Sequence, residues 1–249
     1  MNGDQMDINE SLERFWDKDA PTYDDSPEHG AWSAAERAAW AAVLTRLLPP
    51  GGTVLDVGAG TGFLSLAAAR LGYRVTALDL SAKMLERLEA SAAREGLQID
   101  LVHGRAEDPP LGPFDAIMER LLLWTLPQPA PALTAWRTVA PSGRLLAFEG
   151  LTAGRGYVEA LCARARDRLH HWGRMQHHHH GSYDARMQSR LPLMGGKATP
   201  SALVDLIEAS GWGCARIERL RDVEWARLLA RPRTERLLGV TPEFVIAAG

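Results

Sequence analysis

The sequence has little of what builds disulfide frameworks, metal knuckles or membrane spans. Its 249 residues contain two cysteines, Cys162 and Cys214, whose separation fits no metal-binding spacing and favours a reduced cytosolic compartment. The N-terminus is polar and acidic, so it lacks the features of a signal peptide. No apolar run approaches the roughly 20 residues needed to span a bilayer. We therefore expect a cytoplasmic protein with no membrane partner.

An excess of charge of one sign is also lacking. The 28 Lys and Arg residues are nearly balanced by 31 Asp and Glu residues, which gives a net charge of −3. No basic run marks a stripe that could follow a phosphate backbone, so we expect no nucleic-acid partner and a small-molecule substrate instead. With 46% hydrophobic residues, the chain can bury a substantial core as one domain over residues 1–249.

The most informative stretch present is residues 54–63, which read Val-Leu-Asp-Val-Gly-Ala-Gly-Thr-Gly-Phe. Its apolar start is typical of a buried parallel strand, and three glycines at alternate positions predict a tight turn where a ligand approaches the backbone. Residues 63–71 then predict a helix. Dinucleotide sites need Gly-x-Gly-x-x-Gly, but here the third glycine comes one residue early. The spacing therefore disfavours a dinucleotide.

The order Asp56-x-Gly58-x-Gly60-x-Gly62 resembles motif I of the class I S-adenosylmethionine-dependent methyltransferases of the small-molecule type. The resemblance implies an α/β fold with a doubly wound, seven-stranded and mostly parallel sheet, the Rossmann-like methyltransferase fold. It implies S-adenosyl-L-methionine as the cofactor and S-adenosyl-L-homocysteine as the product. It also implies methyl transfer to an oxygen or nitrogen atom of a small molecule, in specialised metabolism.

The predicted domain divides into four parts. A helical N-terminal cap covers residues 1–48, a cofactor-binding core covers 49–150, and the C-terminal part of the sheet covers 199–249. Between them, residues 151–198 exceed the length of an ordinary connection, which predicts a helical lid or substrate insertion.

A second predicted strand ends in Asp79, which follows Asp56 by 23 positions. Nucleotide-binding folds place a carboxylate on the ribose hydroxyls at a similar separation of about 20 residues. Ser81 then predicts the start of a helix. The resemblance adds further contacts, and Arg105 stands where the family usually has an acid. The predicted cofactor site consists of Tyr23, Asp56, Gly58, Ala59, Gly60, Gly62, Asp79, Leu80, Met84, Ala106, Glu107, Arg120 and Leu121.

The predicted insertion contains six of the eight histidines. Three interpretations of the run at residues 177–180 stay open, namely a solvated pH-responsive loop, a substrate-facing general base, and a metal site. Methyl transfer needs no metal, since the sulfonium leaving group already activates the methyl group, and we predict none. The candidate catalytic residues are His177 and His178. The candidate substrate contacts are Trp16, Tyr23, His170, His171 and Tyr183.

Other functions are compatible with the same glycine motif. An RNA or protein methyltransferase should present a basic or extended groove. A non-catalytic S-adenosylmethionine-binding regulator would keep the loop without transferring a methyl group, and a nicotinamide-dependent dehydrogenase is a more distant alternative. The sequence leaves the oligomeric state open.

Overall fold

The computed structural model of the protein describes residues 3–25, 29, 33–150, 183–195, 198–231, 233–237 and 239–249. Four of the predicted site residues, His170, His171, His177 and His178, lie outside the described residues, as does most of the predicted lid. Within those ranges, no helix is both long and apolar enough to cross a membrane.

Seven strands form one sheet in the order β3-β2-β1-β4-β5-β7-β6. The strands are β1 Thr53–Val57, β2 Arg74–Asp79, β3 Ile99–His103, β4 Ala116–Arg120, β5 Arg144–Glu149, β6 Arg216–Arg219 and β7 Phe244–Ala248. Only β7 runs antiparallel to its neighbours, β5 and β6. The predicted doubly wound, seven-stranded and mostly parallel sheet is therefore confirmed.

Helices cover both faces of this sheet. Numbered along the described part of the chain, they are α1 Gly3–Asp19, α2 Ala34–Leu47, α3 Phe63–Arg70, α4 Ala82–Glu95, α5 Pro129–Val139, α6 Ala185–Arg190, α7 Pro200–Ile207, α8 Arg221–Ala230 and α9 Arg233–Arg236. Two 3-10 turns, Ala20–Asp25 and Leu123–Thr125, and a π-helical turn, Glu208–Trp212, join them. Helix α1, the first 3-10 turn and α2 lie within residues 1–48, the part of the chain predicted to form the helical cap.

Strand β1 shows why the sheet needs helices on both sides. Successive side chains of a strand point to opposite faces. Val54 packs with Trp40 of α2, whereas Leu55 and Val57 pack on the other face with Trp136 of α5. All five side chains are at most 1% exposed, so both faces of the central strand are core.

The start of α4 is fixed by a local signal that the sequence predicts correctly. The Ser81 hydroxyl accepts a hydrogen bond from the backbone N–H of Met84 at 3.1 Å, which satisfies a helix-end donor. Gly96 ends the helix with a φ of 66°, in the left-handed region. Helix α4 consequently begins directly beside the carboxyl end of β2.

Charged side chains form an array of ion pairs in the interior of the protein. Arg227 of α8 donates to Glu36 of α2 at 2.8 Å and to Glu243, just before β7, at 3.0 Å. Glu243 also pairs with Arg120 at 3.4 Å. The side chains of Arg227, Glu36 and Glu243 are only 10%, 3% and 5% exposed. This array therefore ties helices α2 and α8 to the carboxyl end of β4.

Replacing Arg227 with Met should destabilise the fold strongly, because it leaves the buried Glu36 without its cation and leaves Glu243 with Arg120 alone. Breaking a buried ion pair costs about 3–5 kcal/mol of unfolding free energy. The matched control is Arg46→Met, because Arg46 pairs with Glu218 at the surface, where the side chains are 51% and 43% exposed. The control should lose about 1 kcal/mol or less. Urea denaturation measures both, and equal losses would contradict the role given to the array.

Candidate active site

A cavity opens at the carboxyl ends of β1, β2 and β4. Open parallel sheets bind ligands at this edge. We call it the edge cavity. Its wall consists of Asn9, Leu12, Trp16, Tyr23, Gly58, Gly60, Leu78, Asp79, Leu80, Met84, Gly104, Arg105, Ala106, Glu107, Arg120, Leu121, Leu122, Thr125, Leu126 and Pro127.

The glycine turn forms one end of the edge cavity. Gly58 and Gly60 have φ values of 68° and 55°, in the region that side chains disfavour. A Cβ atom at Gly58 would lie 2.7 Å from Leu122 Cδ1, so the turn is packed tightly there. A Cβ atom at Gly60 would meet only Tyr23 Cε1, at 4.0 Å. The backbone at Gly60 therefore borders open space that a ligand can fill.

Asp79 ends β2 at the middle of the edge cavity. One carboxylate oxygen accepts the N–H of Gly60 at 2.7 Å and the other accepts the N–H of Ser81 at 2.8 Å. A carboxylate can accept about four hydrogen bonds, so each oxygen keeps acceptor capacity. Burial raises the pKa of Asp79 above its usual value. The site fits a ligand that donates hydrogen bonds from neighbouring hydroxyls, as the ribose of the predicted cofactor does.

Tyr23 lies over the glycine turn, in the 3-10 turn that follows α1. Asp24 beside it accepts the Thr61 hydroxyl at 2.6 Å, which fastens this segment to the glycine loop. Burial raises the pKa of Tyr23 to about 12, so the phenol stays protonated and can donate a hydrogen bond. Arg120 counteracts this shift electrostatically, and its guanidinium lies 4.2 Å from the centre of the Phe63 ring. This end of the cavity thus combines a phenol with a guanidinium.

Buried acids support the floor of the edge cavity. Glu119 of β4 is fully buried and accepts the N–H of Leu122 at 2.9 Å. Burial raises the pKa of Glu119 to about 8, and it raises that of Asp56 to about 7. Burial and the nearby Glu119 raise the pKa of Glu149 as well.

Leu121 has a φ of 60°, a strained value for a residue other than glycine, and such strain concentrates at functional sites.

Most of the predicted cofactor residues lie in the wall of the edge cavity. They are Tyr23, Gly58, Gly60, Asp79, Leu80, Met84, Ala106, Glu107, Arg120 and Leu121, and the predicted substrate contact Trp16 joins them. Within the described ranges, no group of three or more possible metal ligands comes together.

Four other predicted residues lie outside that wall. Asp56 accepts the Ser65 hydroxyl at 2.5 Å, so it holds α3 against β1 from behind the turn. Ala59 is buried, and a Cβ atom at Gly62 would overlap Leu88 of α4. Tyr183 lies behind Trp16, with ring centres 6.1 Å apart. These four residues border the site from behind the wall, and the contacts that the sequence predicts for them stay predictions.

The sequence prediction named Trp16 of α1 but missed the two other residues of this helix that line the edge cavity. Asn9, Leu12 and Trp16 line it together. Their spacing of three and four residues places them on one face of a helix. That periodicity is the signal that could have identified Asn9 and Leu12. The segment Thr125–Pro127 has no comparable signal, because its shape comes from the 3-10 turn after β4.

Known proteins resemble this chain in sequence and in fold. A family model described as a methyltransferase domain matches residues 54–143. A ubiquinone biosynthesis O-methyltransferase from Xanthomonas axonopodis pv. citri (strain 306) is 31% identical over 172 residues, covering 64% of this chain and 68% of that relative. A ribosomal protein L11 methyltransferase from Thermus thermophilus is 36% identical over 104 residues, covering 41% of this chain and 40% of that one.

A solved S-adenosylmethionine-dependent methyltransferase from Thermotoga maritima shares the fold, with a TM-score of 0.57 and 14% identity. The match covers 95% of this chain and 98% of that one.

Replacing Gly60 with Ala should weaken cofactor binding by at least about tenfold, because the new methyl group enters the ligand space. Gly96→Ala is the matched control, since Gly96 also has a positive φ, 66°, and open space around its Cβ position. Left-handed backbone strain should destabilise both variants by about 1–2 kcal/mol. Calorimetric titration with S-adenosylhomocysteine separates the two effects. Unchanged affinity in Gly60→Ala would place the ligand elsewhere.

Replacing Glu119 with Gln should flatten the dependence of stability on pH. A carboxyl whose pKa is higher in the folded protein binds more protons when folded, so stability falls as pH rises between the two values. For Glu119 this range runs from 4.5 to about 8. Gln keeps an acceptor for the Leu122 N–H but never ionises.

We expect the melting temperature of the wild type to fall between about pH 4.5 and pH 8, and that of Glu119→Gln to fall less. The control is Glu95→Gln, because Arg70 holds the pKa of Glu95 below its usual value. The control should keep the slope of the wild type, and the same slope in Glu119→Gln would contradict the assignment.

Proposed function

This chain belongs to the class I S-adenosylmethionine-dependent methyltransferases, and from that premise we propose that it methylates an oxygen atom of a small molecule. Its cofactor is S-adenosyl-L-methionine. The observation that carries the choice of oxygen over nitrogen is the likeness to the ubiquinone biosynthesis O-methyltransferases, which extends beyond the motif region.

The enclosure of the edge cavity supports a small substrate. Helix α1 lies across the cavity, and Trp16 contributes an aromatic side chain to the wall. Phe15 and Tyr183 pack against Trp16, and Trp124 packs against Tyr183, with paired ring centres 4.5–6.3 Å apart. Aromatic walls suit an apolar or aromatic substrate. The net charge of the chain, −3, gives no electrostatic attraction to a polyanion.

The residues around the edge cavity fit the cofactor. When bound, S-adenosylmethionine supplies a methyl group on a positively charged sulfur. We assign Asp79 to the ribose hydroxyls, because its oxygens keep acceptor capacity beside Gly60. Glu107 suits the amino group of adenine, and Tyr23 and Arg120 suit the carboxylate of the amino-acid part. The protein thereby holds the donor in line with the substrate, which is its main contribution to a methyl transfer.

A substrate hydroxyl must lose its proton as its oxygen attacks the methyl group, so O-methylation benefits from a general base. His177 and His178 remain the proposed base, and His170 and His171 remain proposed substrate contacts. Trp16 and Tyr23, which line the edge cavity, are also proposed substrate contacts.

Protein methylation is the second candidate, because the chain is also similar to a ribosomal protein L11 methyltransferase. That likeness is confined to 104 residues and to 40% of the relative. It therefore supports the shared cofactor core more than a shared substrate.

The proposal predicts methyl transfer from labelled S-adenosylmethionine to small phenols and catechols. Parallel reactions contain small amines, bulk ribosomal protein or bulk RNA in place of the phenols and catechols. Label should appear in an O-methyl product, identified by mass spectrometry. Label in protein or RNA alone would replace the proposal with the second candidate or with an RNA substrate. Tight cofactor binding with no transfer in any arm would favour a non-catalytic regulator.

A further inference from the structure

Asn9 on α1 carries a polar group that the folded chain does not satisfy. The residue is 7% exposed and lines the edge cavity. Its side-chain nitrogen is buried and has no hydrogen-bond partner among the described residues. Buried polar groups are nearly always paired, so an unpaired amide in a cavity wall calls for a partner from outside the chain.

The contacts of α1 show which part of the edge cavity Asn9 faces. Asp17 accepts the Ser81 hydroxyl at 2.6 Å and the Lys83 N–H at 3.2 Å, at the start of α4. One turn earlier, Glu13 Oε1 lies 3.2 Å from Nε2 of His103, at the end of β3. Helix residues four apart lie on the same side, about 5–6 Å apart. Asn9 is one further turn back on α1, and this spacing points to the segment that follows β3, which lines the same cavity.

That segment offers a second unsatisfied group. Residues 104–107 line the edge cavity, and the carbonyl of Ala106 accepts the Trp136 indole N–H at 2.7 Å, which fixes the segment in place. Oε1 of Glu107 is buried and unpaired within the described chain. An amide donor from α1 and a carboxylate acceptor from the loop after β3 therefore border the same end of the cavity.

We propose that Asn9 donates a hydrogen bond to a ring nitrogen of the cofactor's adenine, beside the amino group that the proposed function already assigns to Glu107. This inference rests on the assignment of the cofactor to the edge cavity. The edge of adenine alternates in the required way, since its amino group donates and the ring nitrogens beside it, N1 and N7, accept. Leu80 and Met84, in the same wall, supply apolar surface for the faces of the ring.

This assignment makes α1 part of the cofactor site and gives the site a preference for adenine. A base with a carbonyl in place of the amino group would set its oxygen against the carboxylate of Glu107. A site with unpaired polar groups rejects such an analogue because both groups stay unsatisfied.

The test compares Asn9→Leu with wild type, using S-adenosylhomocysteine and its 1-deaza and 7-deaza analogues in calorimetric titrations. Leu has a similar volume and cannot donate. For S-adenosylhomocysteine we expect the variant to bind about tenfold more weakly, the effect of losing one hydrogen bond in a buried site. For the analogue that lacks the partner nitrogen, variant and wild type should bind equally, as in a double-mutant cycle.

Two further measurements distinguish a specific loss of binding from general damage to the protein. Without ligand, Asn9→Leu should melt no lower than wild type, because it removes an unsatisfied amide. Glu10→Gln, an exposed neighbour on α1, should bind all three ligands like wild type. Equal losses against all three ligands, or no loss at all, would overturn the proposal for Asn9. Failure of the wild type to bind S-adenosylhomocysteine would instead overturn the cofactor cavity itself.

Discussion

The carboxylate of Asp79 is the constraint on which the site depends. It joins two turns that leave the sheet at neighbouring strands, by accepting one backbone N–H from the glycine turn and one from the start of α4. Both turns border the edge cavity, so their relative position decides its shape. The same group is the natural partner for ligand hydroxyls. The same side chain therefore serves both the fold and the binding site. Its burial raises its pKa.

Local sequence signals predict the central part of this structure well. Strand β1, the glycine turn and α3 follow from an apolar run, alternate glycines and a helical pattern within a few residues of one another. The position of Asp79 follows from the length of one βα unit, because a helix of given length returns the chain to the next parallel strand. The seven-stranded order was accessible through the family resemblance, which brought in the two C-terminal strands.

Features that depend on distant pairings were not accessible. Arg227 and Glu36 are 191 residues apart, and nothing local to either residue indicates that they meet in the interior. The direction of a side chain at a turn is equally hidden. Asp56 and Gly62 belong to the motif that identifies the cofactor, yet one turns back to Ser65 and the other packs on Leu88. A motif predicts that a turn exists more reliably than it predicts which neighbours each of its residues contacts within the protein.

Helix α1 is held in place by two kinds of contact with different physics. On one side Ile8 and Leu12 pack with Tyr183 and Met187, an apolar contact. On the other side the carboxylates of Glu13 and Asp17 contact polar groups near the solvent, and the side chains of Glu13 and its partner His103 are 34% and 50% exposed. Interactions of the second kind weaken as ionic strength rises, whereas apolar packing does not. Added salt should therefore weaken the contacts on one side of α1 and leave the apolar contacts on its other side in place.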